Sequence, residues 1–236
     1  MSSNQKVAIV TGASQGLGAA IVQAYLDKGY RVVATSRNIK PSDNPNVITV
    51  AGDVADRETA QRVINEAVTK FGRVDTLINN AGIFIAKPFT AYTADDYAAI
   101  TGTNTAGFFN MTQLAIEQME KNKSGHIVSI TTTLVEHAVE GVPSALASLT
   151  KGGIASATKS LAIEYAKRGI RVNAVSPGII KTPMHGEETH EFLGKLHPMG
   201  RMGESSDIAK AVIYLEDAPF VTGETLHVDG GQSAGH

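Results

Sequence analysis

The 236-residue chain carries 21 basic and 23 acidic side chains, and its formal charge of -2 excludes a polybasic nucleic-acid binder. With 42% apolar and 19% charged residues it can bury a large two-sided core, which excludes disorder or a fibrous repeat. The absence of cysteine excludes a disulfide framework, a thiolate zinc site, an iron-sulfur cluster and a cysteine nucleophile.

Met1 to Gln5 is polar and lacks the charged-then-apolar pattern of a secretory signal, and no apolar run approaches the roughly 18 residues of a membrane span, so a cytoplasmic protein is expected. Val7 to Val10 is a continuous apolar run that predicts a first strand. Beyond a glycine-rich turn, Ile21, Val22, Tyr25 and Leu26 recur at helical spacing and predict a helix over Leu17 to Tyr30. Strands follow at Arg31 to Thr35 and Val47 to Ala51, then a helix from about Asp56 to Phe71 and a strand at Val74 to Ile78. Thr93 with Asp96 forms a capping box before one long helix that ends near Lys121. Ile127 to Thr131 reads as a fifth strand, Ser148 to Arg168 as a helix, Arg171 to Val175 as a sixth strand and Thr225 to Val228 as a seventh. Strands separated by helical patterns imply parallel βαβ units, hence a single doubly wound α/β domain over residues 1–236. Ser176 to Ser205 holds three prolines, five glycines and three histidines, a length and composition that suggest a lid over a site within that domain.

The segment Thr11-Gly12-Ala13-Ser14-Gln15-Gly16-Leu17-Gly18 joins the first strand to the first helix. Glycines there let backbone approach a pyrophosphate while the helix N-terminus stabilises its charge. The second strand leads into Ser36-Arg37-Asn38, where an acidic residue would hold the ribose 2′-hydroxyl of NAD. None is present, and Arg37 can instead fork onto a 2′-phosphate, which favours NADP.

Thr11 to Gly18, Asn79-Asn80-Ala81-Gly82 and Pro177-Gly178, together with Asp53-Val54, Asn104 to Gly107 and Val228-Asp229-Gly230-Gly231, resemble the short-chain dehydrogenase/reductase family across essentially the whole chain. The resemblance implies a seven-stranded parallel Rossmann fold with helices on both faces. It further implies that Asp53 and Val54 hold adenine, that Asn80, Ala81 and Gly82 line the cofactor groove with Gly12, Ser14, Gln15, Gly16, Leu17 and Gly18, and that Pro177, Gly178, Ile180 and Thr182 border the nicotinamide.

The family reduces carbonyls with asparagine, serine, tyrosine and lysine, the last two spaced Y-x-x-x-K. By resemblance Asn104 and Lys151 fill the first and last roles, and Thr132 stands at the serine position. Four residues before Lys151 stands Ala147, and none of the tyrosines has a lysine four residues later. Losing a general acid typically forfeits about 10² to 10⁴ in rate. His137, in the loop between the fifth strand and the next helix, is the candidate substitute because its ordinary pKa lies near neutrality. Glu136 and Glu140 are weaker candidates, since a carboxyl needs burial to stay protonated.

His185, His190 and His197 are spaced by five and seven residues, which matches no helical ligand pair, so no metal is expected and a substrate contact is the better reading. Small residues over Ala98 to Gly107 and Gly152 to Ala162 fit either packing on the sheet or the pairing of helices into homodimers and tetramers that the family shows. The expected activity is NADP(H)-dependent hydride transfer to an electrophilic carbonyl-type small molecule. The alternative is a catalytically silent NADP(H)-binding sensor or structural subunit.

Overall fold

The computed structural model describes residues 5–235; the first four residues of the polar lead-in read above lie outside the described residues. Seven strands, β1 (Val7–Thr11), β2 (Arg31–Ser36), β3 (Val47–Ala51), β4 (Thr76–Asn79), β5 (Gly125–Ile130), β6 (Ile170–Pro177) and β7 (Thr225–Val228), form one sheet in the order β3-β2-β1-β4-β5-β6-β7. Every pairing is parallel. This is the doubly wound Rossmann-type architecture, with its switch point between β1 and β4.

The period-two alternation of β1 divides the core. Val7 and Ile9 face one layer with α2 (Arg57–Glu66), α4 (Gly107–Asn122) and α5 (Ala145–Tyr165). Ala8 and Val10 face the other with α1 (Gly16–Asp27) and α7 (Ser205–Asp217). Both faces of the sheet are therefore covered, which is why its strands read as continuous apolar runs.

Three helix expectations need correction. The first helix ends at Asp27 rather than Tyr30, because Gly29 turns the chain at a φ of +81° and Tyr30 N–H closes back on Tyr25 O. The expected long helix before Lys121 is three pieces: α3 (Ala94–Ile100), a π-helical segment Thr101–Ala106, and α4. The Thr93–Asp96 capping box is formed. The helix over Asp56 to Phe71 likewise closes in a π turn, Ala67–Phe71. Between β6 and α7 the chain carries a 3₁₀ turn, Glu187–Thr189, and α6 (His190–Lys195). Among the described residues no helix is long and apolar enough to cross a membrane.

Candidate active site

In open α/β sheets the crevice for ligands lies at the carboxyl ends of the strands, at the switch point. Here Thr11 organises it. Its Oγ1 donates to Ile78 O at 3.2 Å and accepts from Asn80 N–H at 3.0 Å and Ala81 N–H at 2.9 Å. Asn80 Nδ2 in turn donates to Thr11 O at 2.9 Å and Gly12 O at 3.2 Å, so the end of β4 is stapled to the glycine loop. A Cβ on Gly12 would lie 2.9 Å from Ala81 Cα, and one on Gly18 would lie 2.2 Å from Gly12 O, so the fit of α1 against this loop requires glycine at both. The cap position, Gln15, makes no side-chain capping bond and the first turn of α1 has no acidic residue, which leaves its free N–H groups suited to a phosphate. Thr182, early in the segment between β6 and α7, sits over the loop, its Cβ 3.3 Å from where a Cβ on Gly16 would stand.

At the mouth of β2, Arg37 is exposed, while Ser36 Oγ is buried without a hydrogen-bond partner among the described residues. An uncompensated hydroxyl beside a cation suits a polar ligand group. Asp53 Oδ1 accepts from Ala55 N–H at 2.9 Å and shapes the loop after β3. The Val54 side chain is buried against Gly107, where a Cβ would come within 2.7 Å of it, so Val54 can offer a ligand only its backbone.

The polar centre is built by α5 and the π segment. Lys151 is 9% exposed, and its Nζ donates to Ile130 O at 2.7 Å. Burial holds this ammonium down to a pKa of about 8. A Cβ on Gly82 would lie 3.0 Å from Lys151 Nζ and 3.3 Å from Asn104 Oδ1, so these three residues meet. Asn104 is buried; its Oδ1 accepts from Ile83 N–H at 2.9 Å, and its Nδ2 donates to Ile83 O at 3.2 Å and Thr150 Oγ1 at 3.1 Å. The wider π turn carries Asn104 into this position, a common use of such segments. A cavity of about 10 Å³, roughly one water in size, touches both Asn104 and Lys151.

Ala147 precedes Lys151 by one helical turn and is 3% exposed. Thr132 Oγ1 accepts from Leu134 N–H at 3.3 Å and keeps its own proton to donate. His137 is half-buried in the following loop, its N–H donating to Thr133 O at 2.9 Å. Pro177 ends β6 and Gly178 packs on His197. The Ile180 side chain points into the core and against Gly203, so only its backbone can face a ligand. His190 reaches His185 O at 3.3 Å, and burial with the neighbouring His190 holds His185 below its ordinary pKa. A cavity of about 420 Å³ lies behind the Ile180 turn, between His197, α7 and Asp229–Gly231, and is lined by neither Lys151 nor Asn104. Thr150 and Gln232 carried no local signal in the sequence, and Thr11 stood there only as the first residue of the glycine loop, without a role of its own.

A glycine cradle at the switch point of a parallel sheet, with a buried lysine and asparagine beside it, defines a dinucleotide-binding α/β protein with an oxidoreductase-type site. A family model described as enoyl-(acyl carrier protein) reductase matches residues 12–233. The 3-oxoacyl-[acyl-carrier-protein] reductase FabG of Thermotoga maritima is 32% identical over 96% of this chain and 97% of its own length. A structure of ElxO with NADP bound superposes with a TM-score of 0.92 at 32% identity, covering 98% of this chain and all of that one. The 3-ketoacyl-(acyl-carrier-protein) reductase of Brucella melitensis complexed with NADH gives a TM-score of 0.90 at 31% identity, covering 98% and 100%. The chain belongs to the short-chain dehydrogenase/reductase family of oxidoreductases.

Proposed function

We propose that this protein is a cytoplasmic, homo-oligomeric NADP(H)-dependent reductase of electrophilic carbonyl-type small molecules, in which Ala147 stands where the family carries its catalytic tyrosine. The observation that carries the reading is the Gly12–Gly18 cradle stapled by Asn80, with Lys151 Nζ pressed against Gly82. The cradle and the uncapped α1 N-terminus would hold the pyrophosphate, Ser36 and Arg37 the 2′-phosphate, the backbone around Asp53 and Val54 the adenine, and Lys151 with Pro177 to Thr182 the nicotinamide half. When bound, NADPH supplies the hydride.

The rest of the chemistry belongs to the chain. The Thr132 hydroxyl donates to the acceptor oxygen, Asn104 fixes the Ile83 backbone, and the Lys151 ammonium stabilises developing negative charge. His137 is the proposed proton donor. Without a phenol, the favoured acceptors are those whose reduced anion is intrinsically stable. A quinone or conjugated diketone gives a phenolate or enolate whose conjugate acid has a pKa of about 10, against about 15.7 for an alkoxide resembling hydroxide. That difference amounts to about 8 kcal/mol of product-anion stability. Half of it, about 4 kcal/mol, is comparable to the roughly 3 to 5 kcal/mol forfeited with the acid. Exposed Phe109, Leu149 and Ile163 on α4 and α5 support pairing of these helices between copies.

Calorimetric titration tests the cofactor: NADPH should bind about tenfold or more tighter than NADH, and Arg37→Ala should abolish the difference. Equal affinities in the wild type would remove the preference. Turnover of NADPH against quinones, diketones and simple ketones tests the chemistry. Activated acceptors should react and simple ketones barely, with Ala147→Tyr raising simple-ketone turnover selectively. Tight binding with no turnover of any acceptor would select the silent sensor instead.

A further inference from the structure

The motif Val228-Asp229-Gly230-Gly231 and the lid histidine His197 have no part in the chemistry above, yet they meet. Gly230 and Gly231, at φ of +61° and +91°, let the C-terminal turn lie directly on His197 and Pro198: a Cβ on either glycine would stand 3.3 to 3.4 Å from those side chains. Met199 N–H donates to Gly230 O at 3.1 Å. Asp229 locks the turn by accepting from Gly231 N–H at 3.0 Å and Ser233 N–H at 2.8 Å. The turn presents Gln232, 1% exposed, to two parts of the molecule at once.

Gln232 Oε1 accepts from Thr133 Oγ1 at 2.8 Å, next to the candidate Thr132, while its Nε2 donates to Leu196 O at 3.4 Å at the end of α6. One residue on, the His197 ring is 4% exposed, and both of its nitrogens are engaged. Ile179 N–H donates to Nε2 at 2.9 Å, which assigns the lone pair to Nε2 and the proton to Nδ1, where it meets Leu193 O at 3.1 Å. The bonds run in series from the threonine loop through the C-terminal turn and the end of the lid to the turn after β6. We propose that Gln232 and His197 are positioning residues, a polar strap that fixes the C-terminal end of the lid simultaneously to the Thr132–Thr133 loop and to the Pro177–Thr182 turn that receives the nicotinamide. The proposal rests on the cofactor reading given above.

The strap acts on the nicotinamide half alone, so the test compares NADPH with 2′,5′-ADP, which carries the adenine end without the nicotinamide. His197→Leu strands the Ile179 N–H, and we expect it to weaken NADPH binding about tenfold, leave 2′,5′-ADP binding unchanged and speed amide exchange at Ile179. His197→Gln, whose Oε1 can accept from Ile179, should restore affinity to within about threefold of wild type. Gln232→Leu should also weaken NADPH selectively, and because the bonds are in series the double variant with His197→Leu should lose little more than either single change. Variants that bind both nucleotides as wild type does, or that lose both equally, overturn the positioning role while leaving the cofactor reading intact. Wild-type protein that binds neither nucleotide overturns the cofactor reading and the positioning role together.

Discussion

The two ends of the sheet treat buried polar groups in opposite ways. At the amino ends of the strands, Glu216 of α7 accepts from Tyr25 at 3.1 Å, Tyr30 at 2.9 Å, Thr76 at 3.1 Å and His126 Nδ1 at 2.7 Å. Asn173 completes the set: its Oδ1 takes Glu224 N–H, which turns its Nδ2 toward Val221 O and His126 Nε2 and makes that nitrogen an acceptor. Burial alone would raise the Glu216 carboxyl, but the hydrogen bonds from His126 and the hydroxyls outweigh it and bring the pKa down to about 2. At the carboxyl ends, Lys151 Nζ has one protein acceptor, Ile130 O, and Ser36 Oγ and Ser129 Oγ have none among the described residues. The closed network is compensated within the protein and the open one is not; on the proposed function a ligand would supply the missing partners, since an uncompensated polar group is costly until one does.

The largest expected effect breaks the closed end. Glu216→Ala strands several buried donors and should cost about 3 to 5 kcal/mol in denaturant titrations without altering NADPH affinity. An affinity change would mean that the two ends are coupled. The pH dependence of stability separates them next. The Glu216 contribution is complete above its unfolded value near 4.5 and is lost as pH falls through about 2. His126, held below 6.5 chiefly by burial, adds a loss of the same sign as the unfolded chain takes up its proton. Lys151 works in the alkaline window: its folded pKa of about 8 lies below the ordinary 10.5, so stability should rise by about 3 kcal/mol at most between those values. Lys151→Met should abolish the alkaline rise and leave the acid limb alone. Smallest is Glu191→Ala in α6. It breaks the exposed Lys195–Glu191 pair and should shift stability by less than about 0.5 kcal/mol, a baseline for polar contacts that belong to neither end.

The sequence made the strands and the glycine loop legible, because each rests on a local pattern, an apolar run or a glycine spacing, whereas Asn80, Asn104 and Lys151 stood out only through the family resemblance. It did not show the π segment that turns Asn104 inward, since the residues over Ala94 to Asn122 keep one continuous helical periodicity. Nor did it show that Val54 and Ile180 turn their side chains into the core, or that Gln232 reaches Thr133 across 99 positions. Such contacts are fixed by tertiary packing between segments that carry no local mark of one another.

The strand order has a consequence for how the molecule forms. β1 pairs with β4 through Ala8↔Thr76, Ile9↔Leu77 and Val10↔Ile78, so one side of the first strand stays an open edge until residues nearly seventy positions later have emerged. A chain growing from its amino end can complete β1-β2-β3 early, but that half-sheet displays an apolar, hydrogen-bond-hungry border. Pairings of such separation close slowly. The crevice at the switch point straddles this seam, so Thr11 cannot engage Asn80 until the seam has zipped.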